Sequence, residues 1–403
     1  MREKKSTQKT REEKEAKMSE AHGAASYEAT KALFEQSRFR TTSGGRRKFH
    51  RILDVSGDDC DAADAAGHRG SLVSESKAAF TVANEAWAGG SKAFLRAWFK
   101  DERARSYEYI EHSYVRRENR LSTVYYAFPE PRYEGLVTTS TESERRANIE
   151  YFLEYVLLLV GDNPVHVEWM VLWLADILVN PHDKGHRPIA VVLCGAQGAG
   201  KSSLRELMAR LLGDRLVCRS GFFLPGDARW KGGAMLKYKL FVEFENIDFE
   251  AYRKTANSVK AVISDRARTI EQRGADPIYV TASERVLITT SAACKMAVGS
   301  SDPLFAAFAV SARRVGDTVY WTEHYRKLGS ASAQDRAHGS SSYVRDVAEY
   351  LLSRKEGTGS LVATLPVTDS CMFPALGKNK ACLESNKKLH APRAKKKFLG
   401  LGA

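Results

Sequence analysis

Gly195, Ala196, Gln197, Gly198, Ala199, Gly200, Lys201 and Ser202 run consecutively through the middle of the chain. They occupy every fixed position of G-x-x-x-x-G-K-[ST], a spacing with which a backbone wraps a polyphosphate. The glycines let the chain curl so that successive N–H groups point inward, and a helix starting at the end of the loop adds partial positive charge. Lys201 can then reach the β- and γ-phosphates of ATP, and the Ser202 hydroxyl can ligate Mg²⁺. Ser203 supplies a further phosphate contact in the same turn. The flanks suit this chemistry: residues 189–193 read as a buried strand entering the loop, and 203–212 as an amphipathic helix leaving it.

Hydrolysis needs a second, acidic element, expected on a strand beside the loop-bearing one. Residues 240–246 read Leu-Phe-Val-Glu-Phe-Glu-Asn. In a strand, Glu243 and Glu245 point to the same side, so both carboxylates can face the phosphates. Glu245 is expected to polarise the attacking water and Glu243 to support the metal through its water shell. The competing reading is two solvent-facing glutamates on a half-exposed strand. Residues 285–291 end in Thr289, Thr290 and Ser291, hydroxyls that either sense a γ-phosphate or merely close a strand.

The remaining elements must position these groups. Residues 142–160 form an amphipathic helix broken by Gly161-Asp162-Asn163-Pro164, and 166–179 form a buried helix that stops at Asn180-Pro181. Strands are expected at 239–244, 285–290 and 305–311, helices at 249–265 and 335–353, and a hairpin at 269–280 with Gly274 at its bend. Strands alternating with helices around such a loop predict a three-layer α/β domain with a largely parallel sheet, the P-loop NTPase class. The chain divides into a largely disordered, charged segment (1–85), a small aromatic-rich subdomain (86–148), the nucleotide domain (149–330), and a helix with a basic tail (331–403).

Net charge is +13, with 62 Lys and Arg against 49 Asp and Glu. Residues 40–51 and 378–397 are nearly free of carboxylates, which suits either a solvated surface or attraction to DNA or RNA. Cysteines 60, 194, 218, 294, 371 and 382 have no metal-ligand or disulfide spacing, which predicts a reducing compartment. No apolar run predicts a membrane span or a secretory signal, so an intracellular location is expected.

From about residue 93 to 321 the order of these pieces resembles the superfamily 3 helicase domain of viral, phage and mobile-element primase–helicases, an AAA+-type ATPase. The stretch from Trp169 to Leu204, with its Trp-rich helix, Asn180-Pro181 and the loop containing Gln197, is the most similar. Residues 236–248 look like the family's acidic motif, and 258–276 like its lysine-bearing helix and basic hairpin. The resemblance implies an ATP- and Mg²⁺-dependent helicase or replication ATPase working as a homo-oligomeric ring on single-stranded DNA. Lys260 and Arg273 would face the central channel, and a separate chain would supply any primase or polymerase. Two positions depart from the family. Ala292 and Ala293 stand where an asparagine usually follows the Thr-Ser pair, and Asp302 is followed by Pro303-Leu304-Phe305 rather than by arginines. Arg313 and Arg314 are the nearest substitutes for a trans-acting finger. These departures also fit a relative that binds ATP and DNA without turnover. A small-molecule P-loop kinase is a third reading, weakened by the lack of an arginine-rich lid.

Overall fold

The computed structural model describes residues 27–43, 46–52, 72–84, 92–135, 140–184, 188–220, 235–245, 249–272, 275–291, 303–329 and 341–355. The expectations for Arg273, Gly274, Ala292, Ala293, Asp302 and the basic tail lie outside them.

Strands β1 (Arg38–Ser43), β2 (Arg46–Ile52), β3 (Leu72–Glu75) and β4 (Ser106–Tyr107) form a sheet ordered β3-β2-β1-β4. Helices α1 (Lys77–Asn84) and α2 (Lys92–Lys100) supply Phe80, Leu95, Trp98 and Phe99 to a core with Phe34 and Phe49. The expectation of disorder across 1–85 is therefore wrong for 27–43, 46–52 and 72–84. Its cause is that Phe34, Phe49 and Phe80 lie far apart in short segments rich in charged and small residues, yet all converge on Trp98. At roughly 1.5–3 kcal/mol per buried large side chain, such a cluster holds strands whose own sequences are polar. Nor does 86–148 own a core. Trp98 and Phe99 join the N-terminal cluster, whereas Tyr114, Phe128 and Tyr133 join the main one. Two short strands, β5 (Tyr109–Glu111) and β6 (Val124–Tyr126), pair between them.

Helix α3 (Glu142–Leu159) begins with a capping box in which Thr141 and Glu144 satisfy each other's backbone N–H groups. Asn163 caps α4 (Pro164–Val179), with Pro164 in its first turn. Gly161 and Asp162 turn the chain between these helices at positive φ. Ten α4 residues are buried on all sides of the helix, as an apolar run without a polar stripe requires. Among the described residues no helix is long and apolar enough to cross a membrane.

The main sheet contains β7 (Ala190–Gly195), β8 (Val217–Ser220), β9 (Phe241–Phe244), β12 (Arg285–Ser291) and β13 (Phe305–Ala309). Its order is β13-β7-β12-β9-β8, and every pairing is parallel. Alternation sorts its side chains into two cores. Val191, Leu193, Leu287 and Phe308 face α3, α4, α5 (Lys201–Leu212) and α8 (Ser342–Ser353). Ala190, Val192, Val242, Phe244 and Ile288 face α6 (Phe249–Ser264). The three-layer α/β arrangement with a parallel sheet is thus present. The hairpin is β10 (Ala267–Gln272) with β11 (Ala275–Thr281). Helix α7 (Thr318–Lys327), capped by Asp317, has no counterpart in the sequence reading.

One positional expectation needs correcting. The acidic strand β9 is not beside β7, because β12 is inserted between them and pairs with both. Sheet order comes from crossover connections, which strand sequences do not encode.

Candidate nucleotide site

The glycine-rich turn sits between the C-terminal end of interior strand β7 and the first turn of α5, the edge at which open parallel sheets bind ligands. Gly198 and Gly200 take φ of +79° and +90°, values that L side chains rarely adopt. Gly195 has its own reason. A Cβ there would come within 3.0 Å of the Val310 Cβ, next to β13. Gly200 is gripped from two helices. Tyr155 of α3 donates its hydroxyl to the Gly200 carbonyl at 3.0 Å, and a Cβ on Gly200 would meet the Trp321 ring of α7 at 2.1 Å.

Lys201 opens α5 with its side chain folded back over the turn. Its Nζ donates to the carbonyls of Gly195 and Ala196, each at 2.8 Å. Burial lowers its pKa, while the charge of Glu243 acts in the opposite sense. Gln197 and Ser202 are exposed, Ala196 is half-buried and Ala199 is buried. Ser203 is used internally: its N–H donates to the Gly200 carbonyl and its hydroxyl pairs with that of Tyr325.

The two glutamates occupy different environments. Glu243, on β9, is completely buried. Its Oε1 accepts from the Thr289 hydroxyl at 3.4 Å, and its Oε2 lies 3.3 Å from Arg205 Nε. Burial pushes its pKa up to about 7; the neighbouring Glu245 adds to the rise, and Arg205, Arg219 and the Thr289 hydrogen bond oppose it. Glu245 lies just past β9, half-buried and ion-paired with Arg219 of β8. Thr289 and Thr290 are both buried at the end of β12. Among the described residues, Thr290 Oγ1 has no hydrogen-bond partner and neither does Glu243 Oε2.

Arg205, Tyr155 and Trp321 are the residues that motif reading missed. Only Arg205 carried a signal, as a cation four residues after Lys201 and so one turn along the same helix face. The other two reach the turn by tertiary packing alone. Arg313 and Arg314 follow β13 and are held within the chain. Arg314 donates to Glu154 and Asp317 at 3.0 and 2.8 Å and stacks on Tyr320, while Arg313 lies 3.4 Å from Asp162. Lys260, half-buried, stands on α6, which covers the face of the sheet opposite α5.

A parallel five-stranded sheet in a mixed α/β chain, with a glycine-rich turn at its C-terminal edge, is the class that fold and site define together. No family model matches the chain, and no curated protein matches it in sequence. Among solved structures it is similar to the apo structure of the NrS-1 C-terminal region, with a TM-score of 0.50 and 14% identity over 83% of this chain and 74% of that one. The A form of the same region gives 0.48 and 12% over 90% and 74%. The first likeness is one of fold.

Proposed function

We propose that the chain is an ATPase of helicase type that binds ATP and Mg²⁺ at residues 195–202 and acts on single-stranded DNA as a ring of identical subunits. The observation that carries this reading is Glu243, a sealed carboxylate with a pKa near neutrality, in electrostatic contact with the lysine of a glycine-rich turn. Ionisable groups with such values collect at sites of chemistry. The residues also fit a metal–phosphate group. Thr290 Oγ1 is a buried oxygen without a hydrogen-bond partner among the described residues, Glu243 Oε2 is held only by the Arg205 ion pair, and the exposed Ser202 hydroxyl stands at the start of α5. Ser202 and the water shell near Glu243 would hold Mg²⁺, which when bound offsets phosphate charge. Lys201 would exchange its two carbonyl partners for phosphate oxygens.

With a pKa near 7, Glu243 is better suited than Glu245 to take the proton from water as its oxygen adds to the γ-phosphorus and the bond to the β-phosphate oxygen breaks. Glu245, neutralised by Arg219, would position that water. A second reading, ATP binding without turnover, draws on Arg205 lying against Glu243 and on the intrachain ion pairs of Arg313 and Arg314.

ATP turnover with and without single-stranded DNA tests both. Lys201→Ala and Glu243→Gln should each abolish DNA-stimulated turnover, the latter by about 10²–10⁴, with Glu245→Gln less affected. Wild-type activity in Glu243→Gln would overturn the assignment, and ATP binding by the wild type with no turnover would favour the second reading.

A further inference from the structure

The nucleotide site leaves the N-terminal sheet without a task, yet a pocket lined by four cationic side chains lies beside it. A concave pocket of about 640 Å³ is lined by Arg47 of β2, Lys77 and Thr81 of α1, and Leu95, Arg96, Phe99 and Lys100 of α2. Four of these seven residues are cationic and none is acidic. The Arg47, Lys77, Arg96 and Lys100 side chains are all exposed, and none has a carboxylate within ion-pair distance among the described residues. The nearest acid along the chain, Asp101, is already paired with Lys31 at 2.8 Å.

This grouping follows from the fold. Arg47 and Phe49 share one face of β2 by strand alternation, and Phe49 packs on the helices at that face. Arg47 is anchored there by a hydrogen bond to the Phe99 carbonyl at 3.4 Å, and Lys77 Nζ lies 4.7 Å above the Phe99 ring. On α2, Arg96 and Lys100 are four residues apart and therefore stand on one side of the helix. Ordinary surfaces intersperse charges of both signs. Four like charges around one concavity repel each other and focus a positive potential that a polyanion relieves. The floor, Leu95 and Phe99, is apolar and belongs to the buried core, so the chemistry the pocket presents is that of its cations. The volume is that of a small-ligand site, about 300–1,000 Å³, which admits a nucleotide or two and excludes a duplex.

We infer that this pocket binds the phosphodiester backbone of single-stranded nucleic acid, at a site separate from residues 195–202 and independent of ATP. The inference stands whether or not the chain hydrolyses ATP, because it is read without nucleotide.

The test is the anisotropy of a fluorescein-labelled oligothymidylate titrated with full-length protein, without ATP, across a salt series. Single-strand binding loses about 0.7 in the slope of log K against log salt for each phosphate contact, or about fourfold in affinity per contact at about 0.15 M salt. Arg96→Ala with Lys100→Ala should therefore weaken binding about fifteenfold and reduce the slope by about 1.4. Arg96→Lys with Lys100→Arg should bind like the wild type, and both pairs should melt like it because the side chains are exposed. Unchanged affinity and slope in the alanine pair would overturn the proposal. So would competition by thymidine monophosphate at the same concentration of phosphate as the oligonucleotide, which would indicate a monoester site. Capture by anionic lipid vesicles that exceeds capture by the oligonucleotide, and falls in the alanine pair, would assign the pocket to a membrane surface instead.

Discussion

Replacing Glu243 with glutamine separates the chemical value of a buried carboxylate from its structural cost. Folding raises Glu243 from its ordinary 4.5 to about 7, so between those values the native chain keeps a proton that the unfolded chain releases. The group's contribution to stability is therefore complete below pH 4.5, declines as pH rises, and is gone above about pH 7. At about 1.4 kcal/mol per pH unit the loss is on the order of 3 kcal/mol. Glutamine keeps the volume and can still accept from Thr289. Arg205, with its side chain 25% exposed and Glu206 at 3.8 Å, keeps a partner when Glu243 loses its charge. Glu243→Gln should then exceed the wild type in stability by up to about 3 kcal/mol at pH 8 and match it at pH 4.5. Urea unfolding followed by tryptophan fluorescence at the two pH values measures this. A variant no more stable than the wild type at pH 8 would refute the claim that burial holds the carboxylate in a costly state. Gained stability together with lost turnover is the pattern expected of a residue kept for chemistry.

Three further outcomes follow from the same structure. Gly200→Ala, at φ +90° with its new methyl 2.1 Å from the Trp321 ring, should cost about 1–3 kcal/mol in backbone strain alone and abolish nucleotide binding; an unchanged melting temperature would contradict the packing described. His324 is fully buried among Tyr151, Tyr155, Tyr320 and Trp321, with neither ring nitrogen hydrogen-bonded among the described residues. Burial lowers its pKa to about 4, so as pH falls from 6.5 to about 4 the unfolded chain takes up the proton first and stability declines. His324→Phe should remove that decline, on the order of 3 kcal/mol, and a variant as acid-sensitive as the wild type in urea melts would exclude it. Thr141→Ala removes the capping box of α3 and should lower stability by about 1 kcal/mol, read as a shift in the urea midpoint.

Local signals carried much of this fold. The capped start of α3, the Gly161–Pro164 break, the uniformly apolar α4 and the glycine turn before Lys201 each express themselves within one window of sequence. What stayed hidden was non-local. The insertion of β12 between β7 and β9 depends on which crossovers form, and so changes which strand Glu243 shares hydrogen bonds with. The N-terminal sheet escaped notice because its aromatic residues are far apart and acquire meaning only around Trp98. Helix α7 was missed even though Asp317 could have signalled its start; its packing role comes from Trp321 and His324 meeting residues more than a hundred positions away. At the site, the lysine and the glutamates were legible as types, but Glu243's complete burial and Glu245's pairing with Arg219 required the neighbouring strands.

The contact between Trp321 and Gly200 gives the chain an optical reporter of its own. Trp98, Trp169 and Trp173 are almost sealed in cores, at 0–3% exposure, whereas Trp321 is only partly buried and its indole N–H donates to the Arg314 carbonyl at 2.8 Å. Among the four described tryptophans, Trp321 is the one whose surroundings an occupant reshaping the turn would change, so a shift in its emission colour can follow loading of the turn without a label.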